Sequence, residues 1–217
     1  MTLPRLGSGI GADQVHCNEG RMVTLEFGLP DALRDAAARM YWAAFGPKLG
    51  RVLGPEGKAH HLLSRAMRAD HALIAVEGGR LVGLCGFKTA QGAFVGATPD
   101  LMRDSYGRVG AGWRQAALGL LIQDTDNVRF LIDGLCVAEG QRGRGIGTAL
   151  LDALGTEAAR RGYPALRLDV VDTNLGAQRL YRRLGFAAVG RHPAGLAGAL
   201  FGFQTTITMV RPLAHPR

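Results

Sequence analysis

Residues 130 to 151, FLIDGLCVAEGQRGRGIGTALL, join an apolar run to a helix through a loop with glycines at 143, 145 and 147, and no other stretch constrains the fold so tightly. Phe130 to Val137 is rich enough in large and β-branched side chains to be a buried strand. After Gly145 the apolar residues Ile146, Leu150, Leu151, Leu154 and Ala158 fall on one face of a helix. The loop Ala138 to Arg144 therefore ends at a helix N-terminus. There the first backbone N–H groups lack an intrahelical acceptor and the macrodipole is positive, so the turn can take an anion. Gly143, Gly145 and Gly147 would leave its backbone open to a phosphate.

Three readings of the loop compete. A Walker loop needs lysine after its last glycine, but Gly147 is followed by Thr148. A dinucleotide fingerprint fits better, with Asp169 or Asp172 downstream, yet the spacing here is G-x-G-x-G rather than G-x-G-x-x-G, and arginines stand where such a turn is neutral. A glycine-rich turn that binds nothing is the third.

A second constellation lies at residues 165 to 186, ALRLDVVDTNLGAQRLYRRLGF. Leu166, Leu168 and Val170 alternate with Arg167 and Asp169 as in a strand; Asn174 is a plausible N-cap; Ala177, Leu180, Tyr181 and Leu184 share a helix face that ends at Gly185. Together the two stretches resemble the GNAT family of acyl-CoA-dependent N-acyltransferases. Arg142, Gly145 and Gly147 match the R-x-x-G-x-G core of its cofactor motif, and Asn174, Leu180, Tyr181, Gly185 and Phe186 match its N…LY…GF segment. In motif the resemblance covers residues 130 to 191.

The resemblance implies an α/β fold with a central, mostly antiparallel mixed sheet, one splayed pair of parallel strands, and helices on both faces. It implies acetyl-CoA as co-substrate, no metal, and an amine acceptor. Pantetheine would add like a strand through the backbone of Leu135, Cys136 and Val137, with the pyrophosphate on the amides of Arg142, Gly143, Arg144, Gly145, Ile146, Gly147 and Thr148. Arg142 and Arg144 would add charge. Asn174 would approach the pantetheine arm, or only cap its helix. Tyr181 would protonate the departing sulfur, its phenol near pKa ~10 being protonated at neutral pH; its alternative is one more apolar-face residue. An N–H near Val137 would hold the oxyanion. The amine, near pKa ~10.4 for a lysine type, needs a base, and Asp133 and Asp169 on adjacent strands are the candidates. A binding-only acyl-CoA sensor of the same fold stays open.

The remaining sequence sets limits. The net charge of +8 invites a nucleic-acid partner, but only Lys48, Lys58 and Lys88 are lysines, the arginines are scattered, and no basic run carries interleaved aromatics, so nucleic acid is disfavoured. Cys17, Cys85 and Cys136 form no C-x-x-C pair, which argues against disulfides or zinc and for a reducing, cytoplasmic location. No apolar run approaches the ~20 residues that span a bilayer.

In chain order, residues 1 to 21 are expected to be a flexible extension, and 22 to 213 one domain. A strand over Val23 to Phe27 precedes helices from Pro30 to about Phe45 and from about Pro55 to Ala69. A hairpin follows over Ala72 to Lys88 with Gly78-Gly79 at its turn. Residues 89 to 128 are too long for a strand connection, so a partly helical insertion is expected, with helical character at Pro99 to Tyr106 and Trp113 to Ile122. Its role is open between covering an acceptor pocket and a surface excursion or homodimer contact. After a short strand to about Arg191 come a loop over His192 to Ala199 and a last strand over Phe201 to Val210.

Overall fold

A computed structural model describes residues 13–16, 22–119 and 128–213. The strands are β1 (Asp13–His16), β2 (Met22–Phe27), β3 (Ala72–Glu77), β4 (Arg80–Thr89), β5 (Gly92–Ala93), β6 (Phe130–Val137), β7 (Ala165–Val171), β8 (Ala187–Pro193) and β9 (Thr205–Pro212). The helices are α1 (Arg34–Leu53), α2 (Glu56–Ala66), α3 (Pro99–Gly119), α4 (Ile146–Arg160), α5 (Leu175–Arg183) and α6 (Gly195–Phe201). Eight strands lie side by side in the order β1-β2-β3-β4-β6-β7-β9-β8, with β5 paired to β4. Among the described residues only β6 and β7 are parallel; the other pairs are antiparallel. A mixed sheet with a single parallel pair is not a doubly wound dinucleotide fold, so the Rossmann alternative falls.

Alternation along the strands divides the core between two faces. On one, Ile146, Leu150, Leu154 and Ala158 of α4 and Tyr181 of α5 pack on Cys85, Phe87, Phe130, Leu166 and Leu168. On the other, Ala37 and Ala38 of α1 and Leu63 of α2 cover Ile74, Leu84, Phe94 and Cys136. The β3–β4 hairpin turns on two left-handed residues, Gly78 (φ 55°) and Gly79 (φ 75°), which suits the right-handed twist of its strands.

Several sequence expectations need correction. Helix α1 does not stop near Phe45 but runs through Pro47 to Leu53. A proline inside a helix costs about 3 kcal/mol. The helix continues because Val52 and Leu53 bury against Met102, Tyr106 and Ala111, each apolar burial contributing about 1.5–3 kcal/mol. The Tyr106 hydroxyl also donates to the Leu53 carbonyl. Helix α2 ends at Ala66 rather than Ala69. The two helical stretches expected in the insertion are found in α3: the first ends at Tyr106 as expected, before the non-helical Gly107 (φ 71°, ψ 172°), and the second begins ahead of Trp113. Residues 120 to 122 of the second stretch lie outside the described residues. Within the expected loop 192–199 helix α6 begins, and the last strand starts at Thr205. Of the expected extension 1–21, only Asp13–His16 is described, and it pairs with β2 at the sheet edge. Among the described residues no helix is long and apolar enough to cross a membrane.

Candidate active site

The parallel pair is joined for only three rungs, Phe130 to Leu166, Leu131 to Arg167 and Ile132 to Leu168. Beyond them, β6 follows β4 and β7 follows β9 as far as Val171–Thr206. The divergence starts at a β-bulge: Gly86 and Phe87 of β4 oppose Gly134 and Ile132, leaving Asp133 as the extra residue. A bulge bends its strand and re-aims a side chain. Gly134, where the strands part, lies under α1, since a Cβ there would be 3.4 Å from the rings of both Tyr41 and Phe45. The gap opens into a cleft of about 930 Å³.

At one end of the cleft stands the N-terminus of α4. Gly143 (φ 81°) and Gly145 (φ 85°) are left-handed, and an added Cβ would touch nothing within 4 Å at either, so backbone conformation rather than crowding calls for glycine. The first bond of the regular helical ladder runs from the Ala149 N–H to the Gly145 carbonyl at 2.9 Å. The N–H groups of Ile146, Gly147 and Thr148 therefore have no acceptor within the helix, and all three residues line the cleft. Gly83 of β4 lets α4 seat closely, since a Cβ there would lie 2.8 Å from the Ile146 side chain.

All the expected site residues but one line this cleft: Leu135, Cys136, Val137, Arg142, Gly143, Gly145, Ile146, Gly147, Thr148, Asn174, Asp133, Asp169 and Tyr181. The exception is Arg144, whose guanidinium is bidentate on Glu77 at 2.7 and 3.2 Å, with both side chains largely buried. Its charge, which the sequence alone assigns to no side-chain contact, ties the loop to the β3–β4 hairpin. Arg142 is exposed, its Nε 3.5 Å from the Val137 carbonyl. The Asn174 Oδ1 accepts from the Ala177 N–H at 3.1 Å, so it caps α5 while bordering the cleft. Behind it, buried Gln178 donates to the carbonyls of Val171 and Asp172 and locks α5 to the end of β7.

The three candidate chemical groups sit in different environments. Tyr181 is 9% exposed, and burial holds its phenol well above the usual range, hence protonated. Asp133 reaches solvent through the cleft but has protein around its other sides. Desolvation raises its pKa, outweighing the backbone of Val95, the charge of Lys88, the backbone of Phe94 and the charge of His71, all of which favour the ionised form. Asp169 is occupied: it accepts from Thr208 Oγ1 at 2.5 Å and from Arg167 at 3.4 Å.

The opposite wall comes from residues that no motif marked. Tyr41, Phe45, Lys48 and Leu49 of α1 line it together with Phe201 and Phe203. Burial is the main cause raising the Tyr41 pKa, followed by the charges of Asp133 and Cys136. Their separation in sequence hid them; the one signal was the rarity of lysine, with Lys48 one of three. Helix α3, one of whose two expected roles is to cover the pocket, contributes none of the described lining residues. It packs on α1 and α2 instead. Among the described residues no group of three or more His, Cys, Asp or Glu is arranged to hold a metal ion.

The sequence profile of the acetyltransferase (GNAT) family matches residues 34–186, well over half of the chain. Streptothricin acetyltransferase of Streptomyces lavendulae is 34% identical over 104 residues, 48% of this chain and 55% of the relative, so the match spans about half the length of that protein. An N-acetyltransferase from Staphylococcus aureus Mu50 superposes with a TM-score of 0.61 at 14% identity, over 86% of this chain and 98% of the other. A Salmonella typhimurium protein solved with its cofactor acetyl-CoA does so with a TM-score of 0.55 at 16% identity, over 89% and 95%. Such structural likeness shows the shared fold.

Proposed function

This chain belongs to the acetyltransferase (GNAT) family, and on that footing we propose that it carries an acetyl group from acetyl-CoA to a primary amine by direct attack, within one domain spanning residues 22 to 213. One observation carries the reading: β6 and β7 part after Ile132 and Leu168 beside a helix N-terminus whose first N–H groups have no acceptor within the helix. The shape suits an extended arm ending in a pyrophosphate. Main-chain groups of Leu135 to Val137 would hold the arm as an added strand, and the amides of Gly143 to Thr148 the phosphates.

Acetyl-CoA supplies an activated acyl carbon: the amine N–C bond forms as the thioester C–S bond breaks. Asp133 takes the amine proton, directly or through one water. Its raised pKa makes it a better proton acceptor than an ordinary carboxylate. A backbone N–H near Val137 faces the oxygen that turns anionic. Tyr181, kept protonated by burial, gives its proton to the departing sulfur. Of the two candidate bases we favour Asp133, because the Asp169 carboxylate is already engaged by Thr208 and Arg167.

The acceptor is a primary amine of a small molecule or protein, and streptothricin, the substrate in the relative's name, is a first probe. The test is thermal melting with acetyl-CoA, desulfo-CoA and NAD, then thiol release across an amine panel. Stabilisation by both CoA compounds and amine-dependent thiol release are expected. Stabilisation by NAD alone would overturn the reading, and CoA binding with no release for any amine would favour a binding-only module.

A further inference from the structure

We infer that Lys48 selects the acceptor, favouring one that carries a carboxylate beside its amine on an apolar frame, the class of hydrophobic amino acids. The inference rests on the acetyl-transfer reading and specifies its substrate. Lys48 lies beyond Pro47, on the part of α1 that burial of Val52 and Leu53 keeps helical, and it lines the same cleft as Asp133. The same cleft carries the aromatic and apolar side chains of Tyr41, Phe45, Leu49, Phe201 and Phe203.

A half-buried ammonium in such surroundings is costly unless an anion meets it. The carboxylate nearest in effect is Asp172, and it already accepts from the backbone N–H groups of Gln204 at 3.4 Å and Thr205 at 3.0 Å. Desolvation outweighs the help from Asp172, so the Lys48 pKa is lowered. The charge is only partly compensated, and it shares the cleft with Asp133, the group that takes the amine proton. A zwitterionic acceptor satisfies both poles: its amine turns toward Asp133, its carboxylate toward Lys48, and its side chain to the aromatic wall. A purely cationic amine would meet Lys48 as a like charge.

The experiment compares kcat/KM for L-phenylalanine with phenethylamine, L-leucine with isoamylamine, and L-tyrosine with tyramine, in wild type, Lys48→Met and Lys48→Arg. Desulfo-CoA affinity and melting of each variant control for folding. Wild type is expected to prefer the amino acid of each pair. In Lys48→Met that preference should shrink about 10- to 100-fold, the span for losing one charge-assisted hydrogen bond, and Lys48→Arg should restore part of it. An equal change in both members of a pair would overturn the inference. So would an acetyl adduct on Lys48 by intact mass without any acceptor, which would make the lysine a substrate. Thiol release with phenethylamine or cadaverine but not with amino acids would remove the selection by Lys48 and leave acetyl transfer standing, whereas no release with any amine would remove acetyl transfer itself.

Discussion

The two walls of the cleft are made in opposite ways. One wall runs through β6, the glycine loop, α4 and β7; it holds the donor through main-chain amides, and apart from Asp133 its side chains matter chiefly by being small. The other comes from α1 and the α6–β9 region, and it works through side chains gathered from more than 150 residues apart in sequence. A phosphate-bearing ligand common to many proteins can be held by backbone geometry. An acceptor particular to one protein needs particular side chains. The comparison explains why family membership describes the first wall well and says little about the second.

The sharpest break in the comparison comes from Asp133→Asn. Activity should fall by ~10²- to 10⁴-fold, the usual contribution of a general base, with desulfo-CoA affinity little changed. Stability should move the other way. In the folded protein the pKa of Asp133 is raised, so the stability linked to it is fully present below the unfolded pKa of about 3.9 and is lost as pH rises through the folded value. Melting of the asparagine variant should therefore be higher than wild type at pH 7, and the gap should close toward pH 4. A stable gap across that range would mean the carboxylate is not desolvated.

Gly145→Glu tests the main-chain wall alone. A side chain at φ 85° strains the loop and sets a carboxylate among the donor amides. Calorimetry should show desulfo-CoA binding weakened by about 100-fold or more, on the order of 3 kcal/mol. Unchanged affinity would put the phosphates elsewhere. Tyr181→Phe should reduce kcat by ~10- to 100-fold while leaving desulfo-CoA affinity within about twofold. Equal turnover would return Tyr181 to the role of a packing residue. Smaller still is Glu77→Gln, which loosens the tie to Arg144. We expect KM for acetyl-CoA to rise about 3- to 10-fold, on the scale of one charged hydrogen bond near the surface, with kcat nearly constant. A change in kcat without one in KM would separate that ion pair from loop geometry.

Much of the first wall could be found in sequence because it is contiguous. The strand Phe130–Val137, the turn around Gly143 and Gly145, and the α5 segment around Asn174 and Tyr181 each combine a local period with a local breaker. The parting of β6 from β7 was expected from resemblance alone, since no single residue announces a bulge at Asp133. The side-chain contact of Arg144 was not legible because its partner, Glu77, lies on another element, and sequence spacing carries no information about that pairing. Helix α1 was cut short for a similar reason: local rules stop a helix near Gly46 and Pro47, and only the distant packing of Met102 and Tyr106 on Val52 and Leu53 keeps it going. Lys48 and Leu49 reach the cleft on that extra length.

The central claim is that open amides at the start of α4 and the unpaired edge of β6 hold the donor. Amide hydrogen exchange at single-residue resolution, with and without desulfo-CoA, measures this directly. The account predicts slowed exchange at Gly145 to Thr148 and at Leu135 to Val137 on binding. Tight binding that leaves both segments unprotected would contradict it.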